Sequence, residues 1–196
     1  MPKYVDHEVR RDEILHAAFK VISRVGFDGA TLRAIAEEAG FTTGVIGYYF
    51  RSKEELLEMS LRRSFEAAYR RIDTVRETHS GLQAVRAGIA QVLPTNPEVS
   101  LDWSVWLCFL GHSVGADSMV KEHRVRYEEW HRILTELLTD AITTGDIGGH
   151  LDPSQGADLL ISTLYGIGVQ ATLNGMLPDQ QLQLVDIALK GWASGG

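Results

Sequence analysis

Apolar positions recur every three to four residues along nearly all of this 196-residue chain, and no stretch alternates as a half-buried strand would. The pattern predicts an all-α fold of about nine helices. In the first helix, from about Glu8 to Val25, one face collects Ile14, Ala17, Ala18, Val21, Ile22 and Val25, and Gly26 supplies a stop. Thr31 is placed to cap a second helix whose apolar face is Leu32, Ile35, Ala36 and Ala39, with Gly40 at its end. Thr42 heads a short third helix that runs to about Tyr49 or Phe50. Ser52-Lys53-Glu54-Glu55 has the spacing of a capping box and opens a fourth, carried to about Arg76 by Leu56, Leu57, Leu61, Phe65, Ala68 and Ile72. Five larger helices follow. One opens at Ser80-Gly81 and closes before Pro94, one runs from about Glu98 to Val114 and one from Asp117 to about Thr143. The eighth opens at Asp152-Pro153 and ends near Asn174-Gly175, and the last spans Pro178 to about Trp192.

The second and third helices, joined by Gly40-Phe41, have the proportions of a helix-turn-helix. Ala36 and Ala39 allow a close crossing, and Val45 and Ile46 can turn inward. Thr42, Thr43, Gly44, Gly47 and Tyr48 are then left on the free face. Hydroxyls and small residues there suit a major groove, because threonine can donate to phosphate or base and offer its methyl to thymine. Periodicity alone equally allows Thr42 and Thr43 as plain caps and the two tyrosines as core.

The continuous run from Thr31-Leu32-Arg33-Ala34-Ile35-Ala36 through Gly40-Phe41-Thr42-Thr43-Gly44-Val45-Ile46-Gly47-Tyr48-Tyr49-Phe50 to Lys53-Glu54-Glu55-Leu56-Leu57 closely resembles the signature of the TetR family. Ile14-Leu15, Ala17-Ala18-Phe19, Gly26-Phe27 and Ala30-Thr31 match its preceding helix and turn. The resemblance covers roughly residues 8–57. It implies a helix-turn-helix DNA-binding domain at 1–52 and a ligand-binding and dimerisation domain at 53–196. It further implies a one-component regulator, most simply a repressor, that binds a palindromic double-stranded operator as a homodimer and is released by a small-molecule effector. Carried over position by position, Thr31 caps the second helix and meets phosphate, and Arg33 lies near a base or phosphate. Thr42, Thr43, Gly44 and Val45 lead the recognition helix, and Tyr48 and Lys53 hold the DNA backbone. Gly47 departs from the pattern, since many members carry tyrosine there.

The second half carries no motif of comparable strength. Its Trp106-Leu107 and Phe109 helix and its Leu164-Tyr165-Gly166 segment, with Thr43-Gly44-Val45-Ile46 and Tyr49-Phe50 of the recognition helix, loosely resemble the choline-responsive branch of the family, the BetI regulators of glycine-betaine synthesis. From the residues themselves, Trp103 and Trp106 share a helix side and Asp102 lies four before Trp106. Aromatic faces beside a carboxylate suit a quaternary ammonium or a polyamine, and Tyr127, Trp130 and Tyr165 are aromatic candidates on other helices. Tryptophans at this spacing also serve as ordinary core. Leu159, Leu160, Leu164 and Ile167, with Leu184, Val185 and Leu189, make more apolar face than a thin bundle needs. The family pairs such helices across a two-fold axis, which makes Leu160, Leu164, Ile167, Leu184, Val185 and Leu189 the expected dimer contacts.

Charge sharpens the division. Residues 1–71 hold twelve Lys and Arg against eleven Asp and Glu, a net +1, and residues 72–196 hold seven against fifteen, a net −8. DNA contact is therefore expected only at the front, since phosphate binding needs local cations. The single cysteine, Cys108, builds neither a disulfide framework nor a cysteine zinc site, and a reducing cytoplasm is expected. No apolar stretch is long enough to cross a membrane, and the first residues lack the apolar core of a secretory signal. No cofactor is called for. Glu13/His16 and Glu128/His131 have ligand spacing but read as solvated helix faces, so no metal site is expected. Gly111-His112-Ser113-Val114-Gly115 spells a nucleophile elbow and leaves a serine hydrolase as the alternative. The elbow needs a preceding strand, whereas these residues follow a helix.

Overall fold

The computed structural model describes residues 7–113 and 117–193. They form α1 (His7–Gly29), α2 (Leu32–Ala39), α3 (Thr43–Tyr49), α4 (Lys53–Arg76), α5 (Gly81–Ala90), α6 (Pro97–Ser113), α7 (Asp117–Thr143), α8 (Pro153–Asn174) and α9 (Pro178–Lys190). Among the described residues there is no β-strand, only an isolated bridge between Ile147 and Ala193.

The ends of the first four helices follow the expected chemistry with two departures. Thr31 accepts a hydrogen bond from the Ala34 amide at 3.1 Å, and Thr42 from the Val45 amide at 3.3 Å. Gly40 takes φ +71°, and the Phe41 amide then closes α2 onto the Ala36 carbonyl at 2.8 Å. The first departure is in α1. Gly26 breaks the helix at φ +72° and ψ 173°, but the chain makes another turn to Gly29, which sends Phe27 into the core. The second is at α4. Ser52 accepts from the Glu55 amide at 3.1 Å, while the Glu55 carboxylate reaches back one residue further than a capping box requires, to the Arg51 amide at 2.7 Å.

The core has two parts. The front part packs Ile14, Ala18 and Ile22 of α1 against Ile35, Ile46 and Phe50, and it continues into Leu56, Leu57 and Leu61 of α4. It also takes in Val105, Trp106 and Phe109 of α6. The rear part joins Ile72, Val85, Ile89, Leu134, Leu138 and Leu160 with Val185 and Leu189. The packing crosses the expected boundary between 52 and 53 along both α4 and α6. Each large apolar side chain buried on that seam contributes about 1.5–3 kcal/mol. The seam also carries a His112–Asp28 contact at 3.1 Å with Asp28 91% exposed. An exposed pair of that kind contributes little, so apolar packing ties the front to the rear.

Candidate DNA-binding face and ligand pocket

The capped turns of α2 and α3 leave a compact polar face. Thr31, Arg33, Thr42, Thr43, Gly44 and Gly47 are exposed, and Val45 is half-buried. Tyr48 is 74% exposed, and Ile46 anchors the helix beneath it. Arg33 holds Glu37 at 3.0 Å on the surface. Lys53 is used differently from the expected backbone contact. Its ammonium donates to the Phe27 carbonyl at 2.8 Å and sits 4.3 Å from the centre of the Phe27 ring. It braces the corner between α1 and α4, because burial of Phe27 brings a carbonyl and a ring face within its reach. His7 and Arg10, which periodicity did not single out, border the same hollow as Thr42, Gly44, Val45, Tyr48 and Tyr49. His7 Nδ1 lies 3.1 Å from the Tyr49 hydroxyl. A Cβ at Gly47 would meet nothing within 4 Å, so the glycine leaves open space on the free face.

A cavity of about 70 Å³ lies in the rear half, beside the seam. Room of that size holds several waters or one compact organic group, at roughly 10–15 Å³ per water. Asp102, Trp103 and Trp106 of α6, Trp130 of α7 and Tyr165 of α8 all line it. The ring centres of Trp103 and Trp106 are 5.2 Å apart, and those of Trp106 and Tyr165 are 4.7 Å apart. Trp103 is pinned by a hydrogen bond from its indole nitrogen to the Val92 carbonyl at 2.7 Å. Gly168 of α8 makes room for that indole, since a Cβ there would overlap the ring. Burial pushes the Tyr165 phenol up to about 12. Burial also raises the Asp102 carboxyl above its ordinary value, opposed by a hydrogen bond from Ser64 and by Arg71.

One expected pocket residue is corrected. Tyr127 does not line the cavity. Its hydroxyl donates to Asp158 on α8 at 2.5 Å, and its ring stacks near His131. Trp130, three residues on, takes the inward direction instead. The pocket wall that periodicity missed comes from α4: Leu61, Ser64, Phe65, Ala68 and Arg71. The signal was present, because Ser64 and Arg71 interrupt an otherwise apolar stripe at helical spacing. A polar residue on an inward stripe marks a wall as readily as a surface.

The expected dimer contacts also need correction. Leu160, Leu164, Ile167, Val185 and Leu189 are 5% exposed or less and pack inside the chain's own core, and Leu164 lines the cavity. The stripe of α8 is consumed by α7 and α6, and that of α9 by α5 and α8. Only Leu184, at 40%, remains accessible from that set. The large apolar side chains that stay exposed on these helices are Leu159, Leu173, Leu184 and Ile187, with Leu177 in the link between them.

The nucleophile-elbow pattern is not an active site. Ser113 is buried at the end of α6, and its hydroxyl donates to the Phe109 carbonyl at 2.8 Å. Val114 and Gly115 lie outside the described residues. His131 approaches the Ser154 carbonyl and Asp158 at 3.2 and 3.4 Å. Among the described residues no group of three or more His, Cys, Asp or Glu converges as a metal site, and no helix is long and apolar enough to cross a membrane.

Two family models match the chain. Residues 14–59 match the bacterial regulatory proteins of the tetR family, and residues 81–192 match the BetI-type transcriptional repressor C-terminal domain. The HTH-type transcriptional regulator PksA of Bacillus subtilis is 34% identical over 58% of the chain, and the match spans 56% of that protein's length. The HTH-type transcriptional regulator BetI of Burkholderia cenocepacia is 27% identical over 87% of the chain and 88% of its own length. A transcriptional regulator from Saccharomonospora viridis, solved in complex with choline, superposes with a TM-score of 0.87 at 24% identity, covering 96% of this chain and all of that one. These relatives are regulators and not enzymes, which removes the hydrolase alternative. The chain belongs to the TetR family of bacterial transcriptional regulators, with a BetI-type C-terminal domain.

Proposed function

We propose that this protein is a homodimeric cytoplasmic repressor that grips a palindromic operator through α3 and lets go when an ammonium-bearing small molecule fills the cavity. The observation that carries the reading is the shared use of two helices. α4 and α6 wall the cavity through Ser64, Phe65, Asp102, Trp103 and Trp106, and the same helices enter the front core through Leu57, Leu61, Val105 and Phe109. A ligand that prefers one spacing of these helices biases the position of α3, by as much as its affinity differs between the two arrangements. Thr42, Thr43, Gly44 and Val45 meet the major groove in this reading. Thr31, Arg33 and Tyr48 meet the phosphates, and Lys53 braces the corner beneath them. The aromatic faces of Trp103, Trp106 and Tyr165 beside Asp102 suit an alkylated ammonium, and the choline bound to the Saccharomonospora viridis regulator points the same way.

The test is a mobility shift with the purified protein and the intergenic DNA beside its own gene, at two salt concentrations. Tight binding that weakens steeply with salt is expected. The Tyr48→Ala variant, which keeps the core intact because Tyr48 is exposed, is expected to lose about tenfold or more, at about 1.4 kcal/mol per tenfold. Folded protein that binds no segment of that DNA or of its genome sinks the reading.

A further inference from the structure

The charges of the cavity wall carry one step more. Asp102 and Arg71 are the only charged residues among the described residues that line it. Asp102 receives a hydrogen bond from Ser64 and faces the Arg71 guanidinium at 3.6 Å. Arg71 donates through Nε to the Gln91 carbonyl at 3.3 Å, which holds it in place. Its terminal nitrogens stand 3.6 Å from Asp102 and 3.9 Å from the exposed Glu98, at ion-pair distance and not in tight hydrogen bonds. A guanidinium has five N–H donors, so donors remain for a carboxylate.

This wall is neutral before anything enters. A simple cation such as a quaternary ammonium alcohol would face a carboxylate that already has a counter-ion, and only Glu98, exposed and 3.9 Å from Arg71, would answer the added charge, from the solvent side where it is screened. A polyamine would add more charge. An anion would do the reverse, with no use for the aromatic faces. A molecule carrying both charges a few ångströms apart satisfies every group. Its ammonium lies on Trp103 and Trp106 beside Asp102, and its carboxylate takes the free donors of Arg71 in charge-assisted bonds.

We infer that the effector is a zwitterion that joins an alkylated ammonium to a carboxylate, and that Arg71 is the residue that selects it over a plain cation. The inference rests on the reading of the cavity as an ammonium site.

The test is calorimetric titration of the full-length protein with N,N,N-trimethylglycine, choline and 3,3-dimethylbutanoate, which represent zwitterion, cation and anion on a similar frame. Wild type is expected to bind trimethylglycine about tenfold or more tighter than choline, and the butanoate most weakly. Arg71→Gln is expected to lose that preference and to gain affinity for choline, because Asp102 is freed. Arg71→Lys keeps the charge and is expected to keep most of the preference, which also covers the case in which the glutamine variant folds poorly. Choline binding as tightly as trimethylglycine in wild type, with the ratio unmoved by Arg71→Lys or Arg71→Gln, overturns the zwitterion and leaves the ammonium site standing. Folded wild-type protein that binds neither ammonium compound overturns both.

Discussion

Trp103 illustrates how much of the pocket depends on single atoms. Its indole is held by the Val92 carbonyl on one side and the Trp106 ring on another, and it lies over α8 where Gly168 has no side chain. A methyl group at that position has nowhere to go, because the far edge of the ring is the obstacle and the near edge is already bonded. Gly168→Ala should therefore displace the indole and reshape the cavity. The expected cost is about 1–3 kcal/mol of stability, read by denaturant unfolding, with a changed tryptophan emission and weakened binding of ammonium probes. Gly111→Ala, on the exposed side of α6, is a control for helix propensity, since a Cβ there meets nothing within 4 Å. Unchanged emission and binding in Gly168→Ala would show that the indole has room to spare.

At the level of elements, α5 shows a helix start that local sequence does not explain. Ser80 sits at its N-cap but makes no side-chain cap hydrogen bond. The first amides are met from elsewhere: Gly81 donates to Asp140 at 2.7 Å and Leu82 to Asp146 at 3.0 Å. Two carboxylates at a helix N-terminus also favour the helix dipole. Gly81 has φ +57°, and a Cβ there would overlap the Asp146 carboxylate. Asp140→Ala and Asp146→Ala should each cost about 1 kcal/mol, and Gly81→Ala more, because it adds backbone strain to the loss of a cap. For a chain of this size, about 1 kcal/mol lowers Tm by roughly 2–4 °C. Ser80→Ala should leave Tm nearly unchanged. A larger loss from Ser80→Ala than from Asp140→Ala would mean that the start of α5 is locally capped after all.

For the whole molecule, the proposed pairing draws on the apolar surface that the chain leaves uncovered. On α8, Leu159, Ser162, Gly166 and Leu173 are exposed at helical spacing, and on α9 Leu184 and Ile187 are exposed beside them. Leu173 and Ile187 are 69% and 68% exposed. Small residues between leucines allow a close helix approach, and a two-fold pairing of this surface would present two α3 helices to two half-sites. Leu184→Glu with Ile187→Glu should convert a dimer to a folded monomer by light scattering, with operator affinity down by about tenfold or more. A double variant that remains dimeric places the pairing surface elsewhere.

The sequence by itself determined the helices, the caps of α2, α3 and α4 and the family of the front end, because those depend on neighbours within one or two turns. Thr31, Gly40, Thr42 and Ser52 do locally what their chemistry dictates. Asp102, Trp103, Trp106, Trp130 and Tyr165 were legible as pocket candidates, because aromatic and acidic residues are conspicuous in an apolar stretch. The tertiary structure alone decided which side of a stripe is spent where. Leu160 and Leu189 share periodicity with the exposed Leu159 and Leu184, and only packing against other helices separates core from surface. The same holds for Tyr127, drawn outward by Asp158, and for Lys53, drawn inward by Phe27. It holds too for Arg71, whose place in the pocket wall depends on Gln91 and Asp102, twenty or more residues away in the chain. Local spacing sets what a helix can offer. Which offer is taken depends on the neighbour that arrives from elsewhere in the chain.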